Sequence, residues 1–315
     1  MRCLITGING FAGTHLAEYL LRKNASISGT FYPPNTRLDI PGAGNKIKVF
    51  PCDLASDKQI PGVIKETRPE YIFHLAAQSF VPKSWRQPGE TFNINVQGTL
   101  HLLESVKKYA PKATVLFIGS GEEYGSPSSG QPLTEDHPLA PQNPYATSKA
   151  CAGLLSAQLG HYYNIAIIRT RSFSHLGPGQ SADFVASGFC HQVALIEQGK
   201  QQPQIKVGNL NSRRDFTDVR DIARAYFLLI TRGIPGEVYN IASDRALFIK
   251  EILHKIIVLS DKQIEVVTDP ARLRPQDPSI ICGNSQKFRE LTGWHPEIPI
   301  DQTLRETLNW WRDKV

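Results

Sequence analysis

The sequence predicts an α/β protein: a Rossmann-type, doubly wound parallel sheet with a smaller, interleaved C-terminal substrate domain. Three observations predict it. Short apolar runs alternate with longer amphipathic ones through the first half, the pattern of repeated strand–helix–strand units. A glycine triplet, Gly7, Gly10 and Gly13, separates the first apolar run from the first amphipathic one. After Arg169 the rhythm gives way to a Gly-, Ser-, Gln- and Asn-rich stretch, as expected where substrate loops leave a regular scaffold.

The elements follow in order. Leu4–Thr6 reads as a strand and Phe11–Lys23 as a helix; Ile27–Thr30 and Ile47–Phe50 are strands, Ile60–Glu66 a helix and Tyr71–Leu75 a strand. Phe92–Tyr109 reads as one long helix, Thr114–Ile118 as a strand, Tyr145–Tyr163 as a second long helix and Ile165–Arg169 as a strand. Residues 171–212 read as loops around one helix, Phe184–Gln198, before a helix at Val219–Thr231 and a returning strand at Val238–Ile241. The tail ends in an amphipathic helix, Leu304–Arg312. This divides the chain into a nucleotide-binding domain over 1–170 plus about 213–241, and a second domain over about 171–212 and 242–315.

With 41% hydrophobic residues the chain can bury a sizeable core, which excludes a disordered protein. The formal charge of +6 comes without a Lys/Arg stripe or tail, which argues against nucleic acid and leaves a mildly basic surface or a small anionic ligand. The five cysteines (Cys3, Cys52, Cys151, Cys190 and Cys282) are scattered without a CxxC pair, as in reduced proteins without structural zinc. No metal is expected. No apolar run has membrane-helix length and the N-terminus does not read as a signal peptide, so a soluble, cytoplasmic protein is expected.

Glycines at this spacing, opening a helix after a strand, let the backbone turn tightly and approach a pyrophosphate, which the helix N-terminus stabilises. An acidic residue at the end of the second strand would hold the adenosine ribose of NAD; here that strand ends Gly29-Thr30-Phe31-Tyr32. With Arg37 downstream, suited to a 2′-phosphate or to solvent, the pattern favours NADP(H), with NAD(H) as the alternative. Asp53 suits either the adenine amino group or the cap of a helix.

Tyr145 and Lys149 are one helical turn apart and share a face. A neighbouring ammonium favours phenolate and is expected to draw the tyrosine pKa down towards neutrality. That makes a proton donor for an alkoxide formed by hydride transfer. Tyr19 and Lys23 repeat the spacing as structural residues; Tyr145 differs in following Pro144 at a helix start, just beyond the loop after the fifth strand. In that loop Ser120 suits a substrate carbonyl or an ordinary turn, and Glu122 and Glu123 read as solvent-facing charges. No GxSxG elbow surrounds Ser120, which excludes the usual serine hydrolase.

Together, Gly7-x-x-Gly10-x-x-Gly13, His74-Leu75-Ala76-Ala77, Asn95 in Asn95-Val96-Gln97-Gly98-Thr99, Ser120 before Tyr124-Gly125, and Tyr145-x-x-x-Lys149 resemble the extended short-chain dehydrogenases acting on nucleotide sugars. The resemblance runs from about Arg2 to Trp311. It implies that Tyr145 is the general acid/base, that Lys149 also holds the nicotinamide ribose and that Ser120 polarises a C4 oxygen. The cofactor residues it implies are Gly7, Asn9, Gly10, Phe11, Ala12 and Gly13, with Thr30, Tyr32, Arg37, Asp53 and Leu54, then Leu75, Ala76, Ala77 and Asn95, besides Tyr145 and Lys149. Two long helices resemble those that pair at the family's dimer interface, so a homodimer is expected.

The second half is similar to the GDP-sugar branch, through Val207-Gly208-Asn209-Leu210, Arg213–Asp221 and Arg272–Asp277. This implies Arg214 and Arg274 on a diphosphate, Asp277 on the guanosine ribose, and Val207, Asn209, Ser174 and His175 nearby, with Ser120 and Glu122 at the sugar. Arginine suits the phosphates because its planar fork binds in bidentate fashion. Ser174 stands where the family usually carries an Asn, so a hydroxyl takes the place of the amide that meets a phosphate there. Within the branch the chain is most similar to the ketone reductases, implying reduction of the C4 ketone of GDP-4-keto-6-deoxy-D-mannose to GDP-D-rhamnose.

Three alternatives stand beside this reading. A GDP-mannose 4,6-dehydratase would use Glu122 as the base at C5, but dehydratases carry a polar or acidic neighbour where Gly121 stands. An epimerase–reductase would require a Cys in place of Glu122. A non-catalytic NAD(P)-binding sensor would be expected to have lost Ser120, Tyr145 or Lys149, and all three are present.

Overall fold

The computed structural model describes residues 1–33, 40, 42–126, 131–273 and 279–315. The first half contains β1 (Arg2–Thr6), α1 (Phe11–Arg22), β2 (Ser26–Phe31), β3 (Ile47–Pro51), α2 (Ile60–Thr67) and β4 (Tyr71–His74). It continues through α3 (Val81–Arg86), α4 (Pro88–Phe92), a wide turn at Asn93–Gln97, α5 (Gly98–Tyr109), β5 (Thr114–Ser120), α6 (Pro144–Tyr163) and β6 (Ile167–Ser172). The second half contains β7 (Ser174–Leu176), α7 (Val185–Glu197), β8 (Gln204–Val207), β9 (Arg213–Asp218), α8 (Val219–Arg232) and β10 (Val238–Ile241). It ends with β11 (Ala246–Phe248), α9 (Ile249–Ile257), β12 (Glu265–Thr268), β13 (Ile280–Ile281), α10 (Gln286–Thr292) and α11 (Ile300–Arg312).

Seven strands form one parallel sheet in the order β10-β6-β5-β4-β1-β2-β3. Both faces are buried, and alternate side chains go to opposite layers. Ile5, Phe73, Leu116 and Ile168 join a core with Leu16 and Leu20 of α1 and Ile222, Tyr226 and Leu229 of α8. Their neighbours Leu4, Ile72, Phe117 and Ile167 join a second core with Ile60 and Ile64 of α2, Leu102 and Leu103 of α5 and Ala152 of α6. The apolar residues of α8 fall at helical three- and four-residue intervals, which is why that helix lies flat on the sheet.

A smaller sheet, β11-β9-β13 with β7 beside β9, and a two-stranded ribbon, β12-β8, lie in the second half. Their core gathers Phe189 and Val193 of α7, Ile252 and Ile256 of α9 and Leu304 and Leu308 of α11. The strands β7, β8, β9, β11, β12 and β13 have no counterpart in the sequence reading. Most are polar or very short, as in β9 with its Arg213-Arg214-Asp215-Phe216-Thr217-Asp218 and β13 with its two isoleucines, so no apolar run marks them.

The helix expected at Phe92–Tyr109 is in fact two, α4 and α5, joined through the wide turn at Asn93–Gln97. Such a turn inserts a residue into the helical ladder and re-aims a side chain, here that of Asn95. All seven strands of the main sheet point the same way, so the turns after β1, β4 and β5 meet at one edge. The strand order reverses between β1 and β4, which is where ligands bind in this architecture.

Candidate active site

The turn after β1 is shaped by what glycine lacks. Gly7 has φ +72°, the left-handed region that glycine enters without strain, and a Cβ there would sit 3.0 Å from the Ala76 Cα. A Cβ on Gly13 would lie 2.3 Å from the Gly7 carbonyl oxygen. The Thr30 carbonyl accepts the Ile8 N–H at 3.0 Å, and the Thr6 hydroxyl accepts the Ala76 N–H at 3.1 Å. The turn carrying Asn9 is thus held between the ends of β2 and β4. Gly10 caps α1 without a side-chain acceptor, so the first-turn N–H groups around Phe11, Ala12 and Gly13 stay aimed outward. A diphosphate fits this cradle.

His74 braces the same edge from below. The Thr99 hydroxyl donates to the Asn95 carbonyl at 2.6 Å, so it accepts from His74 Nε2 at 3.0 Å. His74 Nδ1 therefore accepts from the Thr6 hydroxyl at 2.8 Å. The ring is neutral; burial foremost, and the Lys149 charge second, push its pKa down to about 3. Leu75, Ala76 and Ala77 follow directly. Asn95 is a strut: its amide exchanges hydrogen bonds with the Gln78 backbone and donates to Ser148 Oγ at 2.8 Å, tying the turn after β4 to α6.

At the adenosine end, Tyr32 is exposed and Leu54 is buried against Gly98. Asp53 Oδ1 accepts the Ala55 N–H at 2.9 Å, so it closes its own turn; the cap of α2 falls to Gln59. Arg37, Arg274 and Asp277 lie outside the described residues.

The structure brings Ser120, Glu122, Tyr145 and Lys149 together where β5 ends and α6 begins. The Ser120 N–H donates to Glu123 Oε1 at 2.7 Å, and Ser120 Oγ accepts from the Glu122 N–H at 3.2 Å. Asn143 accepts the Ala146 N–H at 2.8 Å as the cap of α6, and its amide donates to Glu122 Oε2 at 2.8 Å. Asn143 is a site residue the sequence reading missed; Asn-Pro ahead of a helix was its signal. Glu123, expected to face solvent, is 3% exposed and paired with Arg171, whose Nε is 3.4 Å from Glu123 Oε2.

The expected pKa pattern is reversed. Burial foremost, then the Glu122 charge, push the Tyr145 phenol up, and the Ser120 side chain only partly opposes them. Lys149 is not among the main influences on it. Its Nζ lies 4.6 Å from the centre of the Phe117 ring, and burial lowers its own pKa to about 8 against the pull of Glu123. Tyr145 is therefore a phenol carrying its proton.

On the other side, Ser174 and His175 lie on β7, paired with Phe216 and Thr217 of β9. The His175 ring stacks on Phe11 with centroids 5.9 Å apart. Val207 ends β8, and Asn209 turns the chain by accepting the Asn211 N–H at 3.0 Å. Arg214 is on β9, where its Nη1 donates to the Arg213 carbonyl at 2.9 Å.

A profile of the GDP-mannose 4,6 dehydratase family matches residues 4–307. The chain belongs to this family. GDP-6-deoxy-D-mannose reductase of Pseudomonas aeruginosa is 34% identical over 315 residues, covering 100% of this chain and 98% of that protein. Human GDP-mannose 4,6 dehydratase is 28% identical, covering 97% of this chain and 90% of the human protein. The solved structure of RMD from Pseudomonas aeruginosa complexed with NADPH superposes with a TM-score of 0.86 at 32% identity, covering 100% of both chains. This member of the GDP-mannose 4,6 dehydratase family is thus an enzyme of the extended short-chain dehydrogenase/reductase type. Among the described residues no helix is long and apolar enough to cross a membrane.

Proposed function

We propose that the enzyme reduces the C4 ketone of GDP-4-keto-6-deoxy-D-mannose to GDP-D-rhamnose, with NADP(H) favoured over NAD(H). The observation carrying this reading is the packing at Gly121. A Cβ there would sit 2.9 Å from Phe173 Cδ1 and 3.0 Å from two further ring carbons. A dehydratase needs an acid beside its base to protonate the departing C6 hydroxyl. Here the space for that side chain is filled by Phe173. The similarity to the Pseudomonas reductase and to its NADPH complex supports the same reading.

Gly7, Gly10 and Gly13 with the start of α1 would hold the diphosphate of the cofactor, whose reduced nicotinamide would supply the hydride when bound. Tyr145 holds a proton on its phenol oxygen for the C4 oxygen, because burial and Glu122 keep it protonated. Ser120, close enough to that phenol to influence its proton, offers a second contact to the same oxygen. Arg214, Asn209 and Val207, with Arg274 and Asp277, would hold the GDP moiety, working in a cytoplasmic homodimer.

Purified enzyme with GDP-4-keto-6-deoxymannose and NADPH should consume the cofactor and yield a product heavier by two hydrogens. NADH in place of NADPH tests the cofactor preference. Loss of water from GDP-mannose without net cofactor use would overturn the reductase reading in favour of the dehydratase. Glu122, aimed by Asn143 and acting on Tyr145, would then be the base.

A further inference from the structure

Two adjacent glutamates follow Ser120, and the fold sends them opposite ways. Glu122 stays half-exposed at the mouth of the site, while Glu123 turns inward and is 3% exposed. A carboxylate is almost never buried so deeply without partners. Two groups meet it: the Ser120 N–H donates to Oε1 at 2.7 Å, and the Arg171 guanidinium forms an ion pair, its Nε 3.4 Å from Oε2.

Two glycines make room for it. A Cβ on Gly119 would lie 2.5 Å from Glu123 Oε1, and one on Gly153 would lie 3.9 Å from Oε2. Gly153 is one helical turn beyond Lys149 on the same face of α6. Both look onto Phe117: the Cβ of a residue at 153 would be 3.5 Å from Phe117 Cε1, and Lys149 Nζ is 4.6 Å from the ring centre.

We propose that Glu123 is a positioning residue for the reaction: one carboxylate oxygen fixes the Ser120 amide at the end of β5, and its charge faces the Lys149 ammonium beneath the site. From β6, Arg171 pairs with Glu123 and donates to the Tyr124 hydroxyl at 2.8 Å, with Arg169 beside it. The Glu135 carboxylate accepts the Asn240 N–H at 2.6 Å. From β4, His74 is neutral; from the turn, Glu122 acts on Tyr145.

Burial favours a neutral amine at Lys149 and a neutral acid at Glu123. Each opposes that tendency in the other, and the Ser120 amide and Arg171 add to the pull on Glu123. Burial still outweighs the pull at both: the Glu123 pKa is raised, and that of the Lys149 ammonium falls to about 8. What that ammonium and Ser120 are used for rests on the ketone-reductase reading; the coupling of Glu123 to Lys149 does not.

The test is a titration of the full chain carrying 13Cε-labelled lysine, with Lys149 assigned through Lys149→Arg. Wild type is compared with Glu123→Gln and with Glu123→Gln/Arg171→Met; the double variant leaves no lone buried guanidinium to oppose folding. The Lys149 midpoint, expected at about 8 in wild type, should fall in both variants by a pH unit or more, about tenfold in proton affinity. The alkaline limb of kcat/KM for ketosugar reduction should move the same way, with KM changing less than about twofold. A Lys149 midpoint that stays put in both variants overturns the inference. A midpoint that falls in a wild-type background unable to oxidise NADPH with the ketosugar supports the coupling and sinks the reductase reading instead.

Discussion

Phe11 stacks on His175 with ring planes 11° from parallel, joining the first turn of α1 to the first strand of the smaller sheet. His15 stands edge-on to Phe11 at 5.6 Å and donates through Nε2 to the Pro178 carbonyl at 2.8 Å. Burial lowers the pKa of both histidines, so the contact is between uncharged rings. It links the diphosphate cradle to the segment expected to meet the sugar. Phe11→Ala should therefore raise KM for both cofactor and sugar by a few-fold to about tenfold, the range given by losing an aromatic pair. Steady-state kinetics with each substrate varied in turn will tell; a change confined to the cofactor would mean that the stack does not couple the two sides.

Tyr145→Phe removes the phenol proton while leaving the ring in place. Turnover in ketosugar reduction should drop about 10²–10⁴-fold, as for loss of a general acid, with KM little altered. Near wild-type turnover would assign the proton to another group and leave Ser120 as the first candidate.

The parallel sheet and the Gly7–Gly13 cradle were legible in the sequence because their signals are local: apolar runs, spacing and a strand–turn–helix order. That Ser120 stands beside Tyr145 and Lys149 where β5 ends and α6 begins followed from the same strand–loop–helix order, since the spacing alone does not separate Tyr145 and Lys149 from Tyr19 and Lys23. Three features were not. The sign of the Tyr145 shift depends on burial and on Glu122, neither of which its spacing to Lys149 reports. The inward turn of Glu123 depends on cavities left by Gly119 and Gly153, the latter distant in sequence. The strut role of Asn95 depends on the wide turn at Asn93–Gln97, which has the same apolar pattern as the helix it interrupts.

At Gly121 the prediction concerns packing. Adding a methyl group there forces the Phe173 ring, 3% exposed, to move within a filled cluster with Tyr124 and Leu133. Gly121→Ala should cost about 1–3 kcal/mol of stability, the usual toll of overpacking. Phe173→Leu in the same chain should recover part of that loss, which denaturant unfolding of the two single variants and the double will measure. Losses that simply add would show that residue 121 and Phe173 do not press on one another.

Asp215 gives a pH-dependent prediction with a definite sign. It is 1% exposed on β9 and accepts from Ser243 N at 2.8 Å, Ser243 Oγ at 2.6 Å and Gly283 N at 3.2 Å. Burial outweighs these bonds and raises its pKa from 3.8 to about 6. The folded chain thus holds this proton more tightly than the unfolded chain. Between those two pH values the unfolded carboxyl has ionised while the folded one has not, so stability falls as pH rises. Below the window both forms are protonated and the full contribution is present; above it the contribution is gone, a change of roughly 3 kcal/mol. Asp215→Asn cannot titrate. Its stability, followed by urea unfolding from about pH 4 to pH 7, should lack this downward component, so the wild-type-minus-variant difference should decline across the window. A flat difference would mean that Asp215 ionises alike in both states and that its hydrogen bonds fully offset its burial.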